Sequence, residues 1–364
     1  MKTGRKKPSG LLVNITLGLI CLIWLIPTIG LLISSFRTRD DESSTGWWTI
    51  FPHREWFTIQ TTTPSKDIDR NQPMTFSGIT ATFEEFRQGI NTPDGHRVIW
   101  IGNKRAGTVQ IQEQKWTTTL HLTLQNYKDV LTGKVYQWVD IEGNQNSEQV
   151  DDLAGALFNS LAVTLPSVIF PVTIATFAAY GFAWMRFPGR KQIFTGIVAL
   201  LVVPLQISLI PVLRDYVKLE LNGTFLALWL AHTGFGVPLA IYLLYNYISS
   251  LPKDILESAF VDGASHFTIF TKLVVPLSIP AIAAYAIFQF LWVWNDYLVA
   301  LIFIGNQPKV QILTMRLAEI VGSRGSDWHL LTAGAFISMI LPLTVFFALQ
   351  RYFVRGLLAG SVKG

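Results

Sequence analysis

Asp296 stands beside Asn295 within a strongly apolar stretch, and Trp292 and Trp294 lie just ahead of the pair. An ionisable group at membrane depth is costly. Aromatic faces next to polar side chains suit a sugar, whose ring stacks while its hydroxyls take hydrogen bonds. The competing reading is that Asn295 and Asp296 tie helices together and the tryptophans mark a membrane interface. Gln206, Gln289 and Tyr242 admit the same two readings, with packing favoured.

A second candidate is the half-polar segment Glu257 to Pro280, which joins two apolar runs. Pro252 suits a first helical turn, Asp254 and Glu257 complement the positive end of a helix dipole, and Gly263 supplies a stop. Ala259, Gly263 and Ala264 are small, so the elbow would let another backbone come close. A lipid-lying helix would carry Lys and Arg on its polar face. Here Asp254, Glu257 and Asp262 outnumber Lys253, which favours a protein-docking element.

Other chemistry finds little support. His53, His96 and His121 lack metal-ligand spacing, no metal site is expected, and the single cysteine, Cys21, can form no internal disulfide. A phosphate-binding loop of the form G-x-x-x-x-G-K-[ST] is absent, so the chain is expected to bind no cofactor and to be a transport subunit, not an enzyme.

The elements that must hold these residues are membrane spans. Half of the 364 residues are hydrophobic, 15% are charged and the mean hydropathy is +0.37. Six apolar runs are long enough to cross a bilayer: Leu11 to Ile33, Leu157 to Trp184, Ile193 to Leu213, Phe225 to Tyr247, Ile279 to Ile304 and Leu330 to Phe353. Pro166, Pro171, Pro204 and Pro238 fall inside them, which a bundle tolerates when neighbouring helices take up the freed carbonyls. The first run is too long for a secretory signal core and no small-residue cleavage site follows it. With the N-terminus inside, twelve Lys and Arg in termini and short loops fall on the cytoplasmic side and five on the other. That bias predicts N-in and C-in and makes the elbow cytoplasmic. The net charge of +5 therefore needs no nucleic-acid partner.

Between the first two runs lies a stretch of another character, with 12 basic and 14 acidic residues from Arg37 to Gln149. It is expected to be external, soluble and β-rich, with strands at Arg97 to Gly102, Gly107 to Trp116 and Thr117 to Leu124, and a turn at Asp94-Gly95. Thr61 to Gln72 reads as loop, and Leu124 to Leu131 as a short amphipathic helix leading back to the membrane. Most of the insert's tryptophans are expected in its own core or at the membrane interface, with no sugar-binding role. The domain plan is 1–36 N-tail and first helix, 37–150 insert, 151–354 the remaining helices with the elbow at 251–280, and 355–364 a cytoplasmic tail.

The pattern Glu257-Ser258-Ala259, three residues, Gly263, nine residues, Leu273, one residue, Val275-Pro276 resembles the "EAA" loop of importer-type ABC transporter permeases. Ser258 stands in place of the usual Ala and Val275 in place of the usual Leu, while Asp262-Gly263-Ala264 matches the carbohydrate version. "FNSL", "FAAYGFAWMRFPGR", "LWVWNDYLVALIF" and the tail "LQRYFVRGLLAGSVKG" are similar to the smaller permease subunit of maltose-type systems. The insert, "VVPLQISLIPVLRDY", "WLAHTGFGVPLAIYLL" and "VGSRGSDW" most resemble the α-glucoside-type member. The resemblance implies an all-α type I importer permease with six transmembrane helices in a bacterial inner membrane. It also implies a second permease as heterodimer partner, two ATPase subunits holding ATP and Mg, and an external solute-binding protein, with lipid around the bundle. The sugar would be an α-glucoside or small glucosyl osmolyte. ATPase coupling would fall to Glu257, Ser258, Ala259, Asp262, Gly263 and Ala264, with Arg355 and Lys363 in the tail reaching toward the same interface.

Two other classes compete with this reading. An ion-coupled secondary sugar transporter would carry several intramembrane carboxylates and a repeat across two halves. A membrane-anchored receptor would not need five further spans.

Overall fold

A computed structural model of the chain describes residues 10–65, 68–133, 135–139, 143–149, 152–305, 307–324 and 327–359. The chain divides into two compact units, Met1–Thr123 and Leu124–Gly364.

The first unit opens with α1, Gly10–Phe36, an apolar helix of 27 residues without a charged side chain. Trp47 packs over Gly30 so closely that a Cβ there would lie 2.7 Å from the indole Nε1, so only glycine fits. At the exit of α1, Arg37 is buried and threads the next turn together. Its guanidinium donates to Asp41 O at 2.9 Å and Thr45 O at 3.1 Å, contacts Thr45 Oγ1, and pairs with Glu42 at 3.5 Å. Thr38 caps the short helix α2, Arg39–Ser44, which a 3₁₀ turn at Trp47–Ile50 follows.

A four-stranded antiparallel sheet comes next, in the order β1-β6-β5-β4, from β1 (His53–Thr62), β4 (Ile90–Asn91), β5 (His96–Ile101) and β6 (Thr108–Thr117). The hairpin β2 (Met74–Phe76) and β3 (Ile79–Ala81) and the helix α3 (Phe83–Gln88) pack on one face. Met74, Phe83, Phe86, Val98, Trp100 and Val109 form the core between them. Thr82 and Glu85 close a reciprocal capping box at the start of α3. The hydrogen bonds from Thr82 hold the Glu85 carboxyl below its ordinary pKa.

Two expected strands and the Asp94-Gly95 turn match, with Gly95 at φ 81°. Thr117 to Leu124 is different: after Thr117 it is irregular, held by Thr119 N to Thr49 O, by Thr123 N to Phe36 O and by a bridge from Arg37 to Leu122. β6 runs out of partner at His53, where the opposite strand begins just after Pro52, so the ladder cannot continue. The partner itself, β1, takes in Thr61 and Thr62 from the stretch read as loop.

The second unit begins with α4, Gln125–Thr132, amphipathic as expected, and a hairpin of β7 (Val135–Val139) and β8 (Gln145–Gln149). These elements fall with the bundle, although the sequence plan set the boundary near residue 150. The bundle consists of α5 (Leu153–Trp184), α6 (Arg190–Ala199), α7 (Leu205–Lys218), α8 (Phe225–Ser249), α9 (Lys253–Val261), α10 (His266–Ile269), α11 (Val275–Trp294), α12 (Leu298–Ile304), α13 (Leu313–Arg324) and α14 (Trp328–Ala359). A π turn at Phe270–Val274 joins α10 to α11.

Among the described residues, five helices are long and apolar enough to cross a membrane: α1, α5, α8, the continuous His266–Trp294 and α14. The expected third span is bent by 104° between Arg190–Val202 and Leu205–Lys218. A 3₁₀ turn at Leu200–Val202 leads into Pro204 there, and proline cannot extend the helix before it. The expected fifth span likewise breaks at Asn295, beyond which α12 is a separate short helix.

The prolines of the long helices explain how the bundle is stitched. A helical proline deprives the carbonyl four residues earlier of its N–H donor. Pro166 and Pro171 do this to Ala162 and Ser167 of α5, and Pro342 to Ser338 of α14. Each of the three oxygens accepts a hydrogen bond from another helix: Trp229 Nε1 to Ala162 O at 3.0 Å, Gln289 Nε2 to Ser167 O at 3.2 Å and Trp294 Nε1 to Ser338 O at 3.0 Å. Side chains on α8 and α11 thus close the gaps that proline opens, as the bundle environment requires.

Candidate coupling elbow and translocation path

The elbow begins at Ser250, where α8 ends, and α9 follows with Pro252 as its N-cap and Asp254 in its first turn. Leu256 is the anchor: it is fully buried in a cluster with Ile248, Leu251 and Ile269. Around it the helix faces outward. Glu257, Ser258 and Asp262 are exposed, and Glu257 and Asp262 form no ion pair among the described residues. Ser258 turns back on its own helix, donating to Asp254 O at 2.6 Å. The apolar side chains of Ile255, Val261 and Phe267 are 44%, 86% and 68% exposed.

α9 ends in a Schellman arrangement, with Gly263 N bonded to Phe260 O at 3.1 Å and Ala264 N to Ala259 O at 3.0 Å. Gly263 has φ +81°, the left-handed region that glycine enters without a Cβ clash. A Cβ at Gly263 would meet nothing within 4 Å, so backbone conformation, not crowding inside the chain, demands glycine. Ser265 then caps α10 by accepting from Thr268 N. The His266 ring lies between Phe260 of α9 and Tyr180 of α5, with Tyr180 Oη 2.8 Å from Nδ1. Phe270 stacks on Phe177 at 4.4 Å. The elbow is therefore seated on the end of α5. Arg355 falls in the last turns of α14, and Lys363 lies outside the described residues.

The residues singled out for a sugar path do not form one group. A largely apolar cavity of about 710 Å³ opens where the bent α6–α7 pair meets α8 and α11, bordered by Pro204, Ser208, Gly236, Tyr285, Phe288 and Trp292. Trp292 is half-buried at its wall, and Gln289 is fully buried in its floor. Gln289 bridges three helices: beyond Ser167 O, its amide reaches His232 O at 3.3 Å and accepts from Tyr285 Oη at 2.9 Å. Tyr285 also lies 2.8 Å from Gly236 O, and a Cβ at Gly236 would come within 3.0 Å of this network. Ser208, Tyr285, Gln289 and Trp292 give the cavity its polar points.

The remaining candidates have other partners. Trp294 is buried, stacks on Phe290 and reaches Ser338. Asn295 bonds to Leu291 O of its own helix. Asp296 accepts from Val299 N at 3.3 Å and Ala300 N at 3.0 Å and so caps α12. Its Oδ2 lies 3.7 Å from Nε2 of His232, a buried residue on α8 whose ring stands edge-on to Trp292. Tyr242 is 39% exposed and does not border the cavity. Sequence reading missed His232 and Tyr285. The signal for His232 was a titratable side chain at membrane depth, whereas Tyr285 carried none.

The binding-protein-dependent transport system inner membrane component family matches residues 156–358, more than half of the chain. The chain belongs to this family. Its inner-membrane component is a permease subunit of an ABC transporter and not an enzyme, which agrees with the spans of both units. As a binding-protein-dependent permease it works with an ATPase and an external binding protein, and the ion-coupled alternative falls away. Over 351 residues this permease is 48% identical to the osmoprotective compounds uptake permease protein of Synechocystis sp., covering 96% of this chain and 91% of the relative. It is 42% identical, over the full length of both chains, to the alpha-glucoside transport system permease protein of Rhizobium meliloti. The melibiose/raffinose/stachyose import permease protein of Bacillus subtilis is 32% identical over 213 residues, covering 58% of this permease and 77% of that one. The two relatives matched over nearly all of this permease therefore share the insert as well as the bundle.

Proposed function

We propose that the chain is half of the translocation path of an ATP-driven importer for an α-glucoside or small glucosyl osmolyte, with α9 as the helix that couples it to an ATPase. The observation that carries the coupling role is the exposure of Ile255, Val261 and Phe267 around a helix pinned by the buried Leu256. A helix pinned on one side, with outward apolar and acidic side chains, suits a groove on a partner bearing basic residues. The solute class is supported by the names of the relatives matched over nearly the whole chain, one an osmoprotectant permease and one an α-glucoside permease.

A second permease completes the path, and two ATPase subunits bind ATP and Mg. The solute-binding protein delivers solute to the side on which the insert stands. Both termini are cytoplasmic, by the distribution of Lys and Arg. ATP binding shifts the pair between outward-open and inward-open states by favouring one of them. The cavity beside Trp292 is this chain's contribution to the path, Gln289 acts as a fixture of its floor, and Asp296 caps α12 outside it.

Uptake into proteoliposomes tests the reading directly. Glucosylglycerol, trehalose, sucrose and maltose are offered with ATP inside, in the presence of binding protein and both permeases. ATP-dependent uptake of a glucosyl solute, lost on omitting the ATPase, is expected. Uptake driven by an ion gradient without ATP refutes it. Glu257→Lys should reduce co-purification of the ATPase while leaving the permease in the membrane, and wild-type amounts of ATPase with wild-type uptake would remove α9 from the coupling role.

A further inference from the structure

The sheet of the first unit has one face covered by the hairpin, α3 and the Trp100 core. Strand alternation puts a different set of side chains on the other face. From β1 these are Arg54, Trp56, Thr58 and Thr61; from β6, Thr108, Gln110, Gln112, Gln114 and Trp116; from β5, Arg97, Ile99 and Ile101; and from β4, Asn91. The bulge between Thr58 and Gln60 keeps both halves of β1 in this phase. Gln110 Oε1 accepts from Thr58 Oγ1 at 2.9 Å and from Gln112 Nε2 at 3.3 Å, so the upper rows are held in place. Arg54 lies 5.4 Å above the Trp116 ring and Arg97 5.9 Å above that of Trp56.

These thirteen residues include two tryptophans, two arginines and three glutamines, and no Asp, Glu or Lys. Trp116 is 66% exposed and Arg54 is exposed, with no carboxylate partner among the described residues. Trp and Arg dominate the energetically important positions of protein interfaces, while Lys, Glu and Asp are depleted there. A sheet locked by cross-strand bonds also loses little freedom on binding.

We propose that this open face, centred on Arg54, Trp56, Gln112, Gln114 and Trp116, is where the transporter's solute-binding protein docks, presenting carboxylates to Arg54. The inference rests on the importer reading and names the surface that the binding protein meets. Charge complementarity selects the partner: the face is cationic although the insert as a whole is slightly acidic. A sugar fits less well, because a guanidinium already covers a face of each indole on which a pyranose ring would stack.

The test measures binding of the purified solute-binding protein to the assembled transporter in nanodiscs. Arg54→Glu should weaken binding about tenfold at low salt, and the difference should shrink as salt screens the charge. Trp116→Ala should weaken binding by a similar factor at every salt concentration. Both variants should leave basal ATPase activity and the solute-binding protein's own affinity for sugar unchanged. Unaltered docking by both variants overturns the proposal. So does direct binding of maltose or glucosylglycerol to the transporter, without binding protein, that Trp116→Ala abolishes, since the face would then be a sugar platform. If the wild-type transporter docks no binding protein at all, the importer reading itself fails. Wild-type docking with indifferent variants removes this inference alone.

Discussion

Trp294→Phe isolates the proline stitching with a single atom group. The substitution removes the indole N–H that reaches Ser338 O at 3.0 Å and keeps an aromatic ring against Phe290. Trp294 is 2% exposed, so water has little access to replace the donor. Pro342 has already removed the backbone donor that Ser338 O would otherwise use. Leaving that oxygen without a partner costs about 1 to 2 kcal/mol, between the soluble-protein penalty and the smaller values found in membranes. For a unit of this size that corresponds to a melting point lower by roughly 2–8 °C. The smaller ring also loses packing, which a single variant cannot separate. Pro342→Ala restores an N–H to α14, so Ser338 O regains its ordinary helical donor. Thermal melts of the four proteins of the cycle, in one detergent and at one scan rate, give the coupling. Packing loss is common to both backgrounds and cancels. Trp294→Phe should cost at least 1 °C less in the Pro342→Ala background, and equal costs in both backgrounds would falsify the stitching argument.

Three further outcomes are expected. Gly263→Ala, where φ is +81°, should loosen the end of α9 at a cost of about 1 kcal/mol and lower uptake more than membrane insertion; Gly263→Trp should lower it further by placing bulk in the docked face, and normal uptake by both would discard the cap as a coupling feature. Truncation after Phe353, which removes Arg355 and Lys363, should reduce transport more than expression, whereas full transport by the shortened chain would mark the tail as dispensable. Replacing 37–150 by a short linker should lower uptake while the binding protein's affinity for sugar, measured by calorimetry, stays the same; undiminished uptake would leave the insert without a role in transport.

The elbow was legible in sequence because its boundaries are set by local chemistry. Pro252 and Gly263 dictate where α9 can start and stop, and the chain follows them. The same holds for Asp94-Gly95 and for the amphipathic pattern of α4. The bend at Pro204 was not legible, because an apolar run reports that a segment avoids water and says nothing of its direction. Asn295 and Asp296 read as possible sugar contacts because the break in the helix, which Asp296 then caps, depends on where α12 packs. Gln289 and Trp294 posed the same difficulty. Sequence shows which carbonyls the prolines orphan, but their donors lie more than 40 residues away, and only the packed bundle pairs them.

That pairing has a consequence for biosynthesis. Ala162 and Ser167 belong to α5, whereas Trp229 and Gln289 are made dozens of residues later. While α5 is the newest helix in the bilayer, two of its carbonyls have no donor from within the helix. It is therefore poised to recruit α8 and then α11 in the order of synthesis. α14 has the opposite history: when Pro342 emerges, Trp294 is already present to meet Ser338. Chains halted before Gln289 should accordingly hold α5 less firmly than chains halted after it, which cysteine crosslinking between α5 and α8 on stalled ribosomes would measure, and equal crosslinking at both lengths would count against such ordering.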